Sequence, residues 1–342
     1  MNLPCLEELE LNNWIVSNEL LAGILGTCSS TLKTLTLESI NGFDKMLFTD
    51  CDTNKYNDRH GDEDNTGAHP LFQLTNLTTL NIHLDWTQSQ GVLYLPRICP
   101  ALQNLVITVG KEEHDLSQLI TSLRTCCPQL TSIKYIEGYS MRHEHGFFPD
   151  PELHASLFKD STTCLKTMHT RLPVGLDSHM INAVLSHGSN LEDLELANHI
   201  NYDYQTETER ALDVSEVQKI FVHCRNLKQL ILEDAMLSIN DLGYLCIEPW
   251  VCRNLEKLVI EDHAQPVRIE GDDVQDGAEN DSSRGQLQGG WFRVTGLLGG
   301  RFRNAQVDSE FVRKFLFHLS ETSGLKSLRY IRLNDLELNK SY

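Results

Sequence analysis

"CRNLKQLILEDA" at residues 224–235 is followed by "CRNLEKLVIEDH" at residues 252–263, a step of 28 residues. Each copy holds the pattern LxxLxL, anchored at Leu227 and Leu255. Read outward from these two, the pattern recurs with anchors at Leu6, Leu32, Leu77, Leu102, Leu130, Leu165, Leu191 and Leu328, ten copies in all. Weaker members read "LTSIKY", "LKTMHT" and "LRYIRL". Five of the nine steps between anchors are 25 to 28 residues and four are longer, so one unit repeats with insertions in four places. The last two apolar positions of LxxLxL are two apart, which puts both on one face of a strand and their neighbours on the other.

The segments between strands carry helical spacing. "DLSQLITSL" aligns Leu116, Leu119, Ile120 and Leu123 on one stripe, with Asp115 and Gln118 placed as a capping box. Asp213 and Glu216 repeat the box ahead of Val217, Ile220, Phe221 and Cys224, and Val312, Phe315, Leu316 and Leu319 show the same spacing. One unit buries too few leucines to offset the entropy of ordering it. Stacked units bury each leucine set against the next and build a ladder of parallel strands. The period and pattern are those of leucine-rich repeats. The expected fold is therefore α/β: a leucine-rich-repeat solenoid, curved as a horseshoe, with parallel strands on the concave face and helices on the convex face. Residues 1–342 form one such domain of about ten repeats.

Four copies carry a cysteine three residues before the anchor, as "CPAL" at Cys99, "CPQL" at Cys127 and "CRNL" at Cys224 and Cys252. Small buried apolar groups at the helix-to-strand junction account for them better than reactive thiols. Here the chain resembles the cysteine-containing, ribonuclease-inhibitor-like repeats of F-box leucine-rich-repeat proteins, particularly fungal ones. The resemblance implies a non-catalytic module that recognises a protein substrate, while an N-terminal F-box docks on the Skp adaptor of an SCF ubiquitin ligase. Only five residues precede Leu6, too few for an F-box, so the resemblance implies ligase membership if an F-box lies outside this chain. The leucines of "CLEELEL" are expected at an open end of the ladder. The alternative is a free-standing regulator of another enzyme, of the kind that inhibits ribonuclease or activates small GTPases.

Composition narrows the partners. The chain carries 29 basic and 48 acidic residues, a formal charge of −19. That balance opposes phosphate backbones and anionic lipid, so neither nucleic acid nor a membrane surface is expected as partner. No apolar run approaches the roughly 20 residues of a membrane helix, and acidic residues stand where a signal peptide would be apolar. Ten cysteines without a CxxC pair read as reduced thiols in the cytoplasm or nucleus. No GxSxG, HExxH or P-loop occurs, and the chain is not expected to be an enzyme or to hold a cofactor.

The insertions break the rhythm. Residues 44–66 hold seven acidic and three basic residues, and residues 261–290 hold eight and two. Both read as acidic flexible insertions, and shorter excursions are expected around 137–160 and 198–212. Asp50, Asp52 and Asn54 match the first ligand positions of a calcium loop, but Lys55 replaces the turn glycine and Gly61 the bidentate glutamate. His143, His145, Asp150 and His154 are zinc-ligand types, but their spacing fits a surface loop better. No metal is expected. "WFRVTGLLGGRFR", from Trp291 to Arg303, reads as an added strand pairing with "PVRIE".

The residues flanking the inward leucines line the concave face and are the candidate partner-binding set. They are Glu8 and Glu10, Thr34 and Thr36, Thr79 and Asn81 with His83, Asn104, Lys134, His169, Asp193 and Glu195, Gln229 and Ile231 with Glu233, Lys257, Tyr330 and Arg332. Aromatic, arginine and large apolar side chains dominate interface energies, which favours Tyr330, Arg332 and Ile231 as anchors. The acids at Asp193 and Glu195 favour a protein with a partly basic surface.

Overall fold

The computed structural model describes residues 5–15, 18–40, 72–84, 93, 95–110, 116–137, 151–159, 165–172, 177–198, 214–233, 249–261, 288–289, 292–295, 318, 325, 327–333 and 336–340. Two compact units, residues 1–168 and 169–342, are described in turn. Both are α/β, with parallel strands alternating with helices.

The first unit contains β1 (Glu8–Asn12), α1 (Asn18–Cys28), β2 (Thr34–Glu38), β3 (Thr79–Leu84), β4 (Asn104–Val109), α2 (Ser117–Cys126), β5 (Ser132–Glu137), α3 (Pro151–Lys159) and the start of β6 (Thr167–Leu172). β1 to β5 pair parallel in chain order. Register follows the repeat: Leu9, Leu35, Leu80, Leu105 and Ile133 lie side by side, and so do Leu11, Leu37, Ile82, Ile107 and Tyr135. β2 to β4 alternate strictly between buried and half-buried positions, as the period-two pattern requires.

A repeated backbone device sets this register. The amides of Lys33 and Thr34 both donate to the Glu7 carbonyl, those of Thr78 and Thr79 to Lys33, those of Gln103 and Asn104 to Thr78, those of Thr131 and Ser132 to Gln103, and those of Lys166 and Thr167 to Thr131. After β1 and β2 the chain turns through Asn13 and Ser39, at equivalent places and both with positive φ (55° and 52°), a conformation the short polar side chains of Asn and Ser tolerate better than bulky ones.

The second unit contains the remainder of β6, α4 (Ser178–Ser186), β7 (Asp193–Asn198), α5 (Val214–His223), β8 (Gln229–Glu233), β9 (Lys257–Glu261), β10 (Gln288–Gly289), β11 (Phe292–Thr295), β12 (Tyr330–Leu333) and β13 (Leu336–Lys340). β7, β8, β9 and β12 pair parallel, after which β13, β11 and β10 continue the sheet antiparallel. The strand-start device recurs: Lys228 and Gln229 donate to Glu192, Glu256 and Lys257 to Lys228, and Arg329 and Tyr330 to Glu256. Asp177 caps α4, its carboxylate accepting from the Met180 amide at 3.0 Å, and α4 buries Met180, Ile181, Ala183 and Val184.

The anchors Leu32, Leu77, Leu102, Leu130, Leu165, Leu191, Leu227, Leu255 and Leu328 are all buried, whereas Leu6, beside the outermost strand of its unit, is half-buried. The expected helical stripes of α2 and α5 are buried, Leu116 to Leu123 in one and Val217 to Cys224 in the other. All four repeat cysteines are buried. Sγ of Cys99 donates to the Leu95 carbonyl at 3.1 Å and Sγ of Cys127 to Pro96 at 3.3 Å. Burial pushes the thiols of Cys127, Cys224 and Cys252 up to about 12, and that of Cys99 well above the usual value. A stacked pair, Phe221 on Trp250 with centroids 3.9 Å apart, fills the space beside α5.

Two expectations about the fold are corrected, and two fall on undescribed residues. The excursion placed at 137–160 contains helix α3, started by Pro151 at a position where its missing amide costs nothing and flanked by Glu152 and Lys159 in the first and last turns. α2 is preceded by Leu116, which offers no side-chain cap, and the box placed at Asp115 and Gln118 falls on Asp115, outside the described residues. Glu216 in α5 pairs with Lys219 at 2.6 Å; Asp213, the other member of the second box, lies outside the described residues. A strand does form in "WFRVT", as β11, but its partners are β10 and β13; "PVRIE" lies outside the described residues. So do the whole of 44–66 with the calcium-like loop, all of 261–290 except Glu261, Gln288 and Gly289, the excursion after Asn198, residues 312–317 and 319, and His143, His145 and Asp150.

Candidate partner-binding strand face

In the first unit the register lays the outward positions in rows. One row runs Glu8, Thr34, Thr79, Asn104 and Ser132; the next runs Glu10, Thr36, Asn81, Val106 and Lys134; a third runs Asn12, Glu38, His83, Thr108 and Ile136. Glu8 and Glu10 are exposed, and Thr34, Thr36, Thr79, Asn81, His83, Asn104 and Lys134 are half-buried. The centre of this face is uncharged and bonded along its rows. Asn81 Nδ2 donates to Thr36 Oγ1 at 3.0 Å and Asn104 Nδ2 to Thr79 Oγ1 at 3.4 Å. Strands a little under 5 Å apart bring such side chains within reach.

The second unit carries ions where the first carries amides. His169 sits between two carboxylates, its Nε2 3.1 Å from Asp193 Oδ2 and its Nδ1 3.6 Å from Glu195 Oε2. The Nε2 contact is close in distance but is not aligned as a hydrogen bond. Gln229 Nε2 donates to the other Asp193 oxygen at 3.0 Å. Arg171 pairs with Glu233 at 2.9 Å, and Arg332 Nε with Glu261 at 2.5 Å. Thus Asp193, Glu195, Glu233 and Glu261 each have a basic group within 4 Å, and Asp193 and Glu195 are less open to a basic partner than their sequence positions imply.

Every candidate residue lies on a strand. His169, Asp193, Glu195, Gln229, Glu233, Lys257, Tyr330 and Arg332 are half-buried. Ile231, expected as a solvent-facing anchor, is only 8% exposed, and its neighbours Val259 and Glu261 are buried with it. A β8 strand reading "QLILE" is apolar at three successive positions, which is the sequence signal of a strand covered on both faces.

Sequence reasoning missed a buried polar cluster in the first unit. His154 of α3, expected on a surface loop, is 5% exposed and shares a hydrogen bond of 3.1 Å with the Tyr135 hydroxyl at the end of β5. Glu137 Oε2 lies 3.3 Å from the same imidazole nitrogen. Burial, and then the adjoining Glu137 carboxylate, hold the Tyr135 hydroxyl well above its usual range, so it stays protonated. The signal was available: in "PELHASLFK" His154, Ala155 and Phe158 fall on one helical face behind a proline start. Among the described residues no group of three His, Cys, Asp or Glu side chains could hold a metal ion, and no helix is long and apolar enough to cross a membrane.

No protein-family model matches the chain, and no curated protein matches it significantly.

Proposed function

We propose that the chain is a non-catalytic protein-binding module of the leucine-rich-repeat type, with its strands lining the concave wall of a curved array and its helices on the convex side. Its role, on the likeness of its cysteine-anchored repeats, is substrate recognition in an F-box-type ubiquitin ligase pathway in the cytoplasm or nucleus. The observation that supports this reading most is the strict register of the outward rows. Thr34 to Ser132 in one row and Thr36 to Lys134 in the next form a regular array on a backbone fixed by the leucines beneath. Such a surface presents many side chains at low entropic cost, which suits recognition of a protein. Reduced, buried thiols in both units accord with an intracellular setting.

Affinity purification of the intact gene product with identification of bound proteins tests the reading. A cullin adaptor among them, together with a partner lost in the Asn81→Arg and Thr36→Arg variants, is the expected result. A partner retained by both face variants would end the face reading. A partner found without the adaptor would favour a free-standing regulator.

A further inference from the structure

β2 to β5 are interior strands of the first unit: β1 lies beyond β2, and beyond β5 the Lys166 and Thr167 amides at the start of β6 bond the Thr131 carbonyl. Their outward rows carry two formal charges, Glu38 at the end of β2 and Lys134 in the middle of β5. Both are half-buried, and neither has an ion pair or a side-chain hydrogen bond among the described residues. The second unit is the opposite, with a basic group within 4 Å of Asp193, Glu195, Glu233 and Glu261. There Arg171 on β6 reaches Glu233 on β8, and Ala197, the β7 partner of Glu233, is buried. The second unit's face thus meets its acidic charges internally; the first unit's face leaves one charge of each sign unmatched.

Register fixes the distance between those two. Glu38 shares its row with His83, Thr108 and Ile136, and Lys134 stands two residues before Ile136. Strand spacings of roughly 4.8 Å and a rise of roughly 3.3 Å per residue put the two α-carbons roughly 16 Å apart. The line between them passes Asn81 and Val106 on one side. Asn81 spends one amide hydrogen on Thr36, and its carbonyl oxygen accepts no bond among the described residues.

We propose that the first unit's face takes an extended segment of a partner protein lying across β2 to β5, with a basic residue on Glu38, an acidic residue four positions away on Lys134 and an aliphatic residue between them on Val106. This rests on the face reading above and adds the partner's chemistry. In an extended segment, residues i, i+2 and i+4 share one side and span roughly 13 Å, and the long side chains of Glu38 and Lys134 cover the remainder. The Asn81 carbonyl oxygen accepts from a main-chain amide of the segment. Complementary charges fix the segment's direction and register. A doubly basic segment sets a like charge against Lys134, so the acidity of the chain as a whole is not what selects the partner.

Fluorescence anisotropy on the full chain compares three labelled peptides: acetyl-Lys-Ser-Val-Ser-Glu-amide, acetyl-Lys-Ser-Val-Ser-Lys-amide and acetyl-Ser-Lys-Glu-Val-Ser-amide. The first should bind about tenfold or more tighter than the others, against the pull of the chain's net charge of −19, which favours the doubly basic peptide. Lys134→Glu, a charge reversal at a half-buried position, should leave the circular dichroism spectrum unaltered and reverse the order of the first two. Glu38→Lys should turn the preference to acetyl-Glu-Ser-Val-Ser-Glu-amide. No binding of the first peptide, or an order that both reversals leave unchanged, would overturn the proposal while leaving the face reading to its own test. Peptides that discriminate as expected yet bind the Asn81→Arg and Thr36→Arg variants undiminished would end both.

Discussion

Across β2 to β4 the outward rows join amide to hydroxyl, Asn81 to Thr36 and Asn104 to Thr79, whereas the outward positions of β6 to β9 and β12 set carboxylates against imidazole or guanidinium, Asp193 and Glu195 by His169, Glu233 by Arg171 and Glu261 by Arg332. Beneath each lie two aliphatic rows of its own unit, Leu80 beside Leu105 and Ile82 beside Ile107 in the first, Leu230 beside Leu258 and Leu232 beside Ile260 in the second. The contrast teaches that the repeat dictates where a side chain stands but not its chemistry. Neutral rows are indifferent to ionic strength, whereas exposed ion pairs weaken as salt is added.

The largest effect should come from the buried leucine layer that each unit has. Leu80→Ala and Leu230→Ala each remove a fully buried leucine and should each destabilise their unit by about 2–5 kcal/mol in urea titrations. A markedly milder effect in one unit would mean that the leucine layers are not equivalent.

Next comes truncation of one member of a buried polar pair. His154→Ala removes the imidazole that bonds the Tyr135 hydroxyl and faces Glu137, and should cost about 1–3 kcal/mol in the same titrations.

Smaller effects separate the two faces. Asn81→Ala should cost about 0.5–1.5 kcal/mol at any salt concentration. Arg171→Ala, at a pair that is largely open to water, should cost about 0.2–1 kcal/mol in dilute buffer and less as salt is added. Equal salt sensitivity of the two variants, by thermal melts in graded sodium chloride, would erase the distinction.

At neutral pH the thiols should contribute nothing to pH dependence. Their folded-state values, raised by burial to about 12 from the ordinary 9.0, mean that the unfolded chain releases protons first as pH rises. Their stabilising contribution is complete below 9.0 and is lost as pH climbs towards about 12. Alkylation at pH 8 should label exposed Cys5 quickly and Cys127, Cys224 and Cys252 only on unfolding, which mass spectrometry can follow.

What was legible in the sequence was what a period can encode. Anchor leucines and helical stripes recur in spacing, and the buried positions of β2, β4, α2 and α5 follow from it. What was not legible depends on contacts between segments far apart in the chain. His154 reads as a loop residue until α3 carries it onto Tyr135, and a lone nine-residue helix gives a weak period. Ile231 obeys the outward parity of its strand yet is covered, because parity says which way a side chain points and not what lies above it. The placing of His169 between Asp193 and Glu195 is likewise invisible in "LEDLEL" alone.

The doubled amide bonds at the start of each strand have one further consequence. Thr79 takes its place beside Thr34 although 45 residues separate them, just as Asn104 does beside Thr79 across 25. The ladder counts rungs and ignores the rope between them. Foreign sequence spliced between β2 and β3, such as a reporter domain, should leave every later rung where it is.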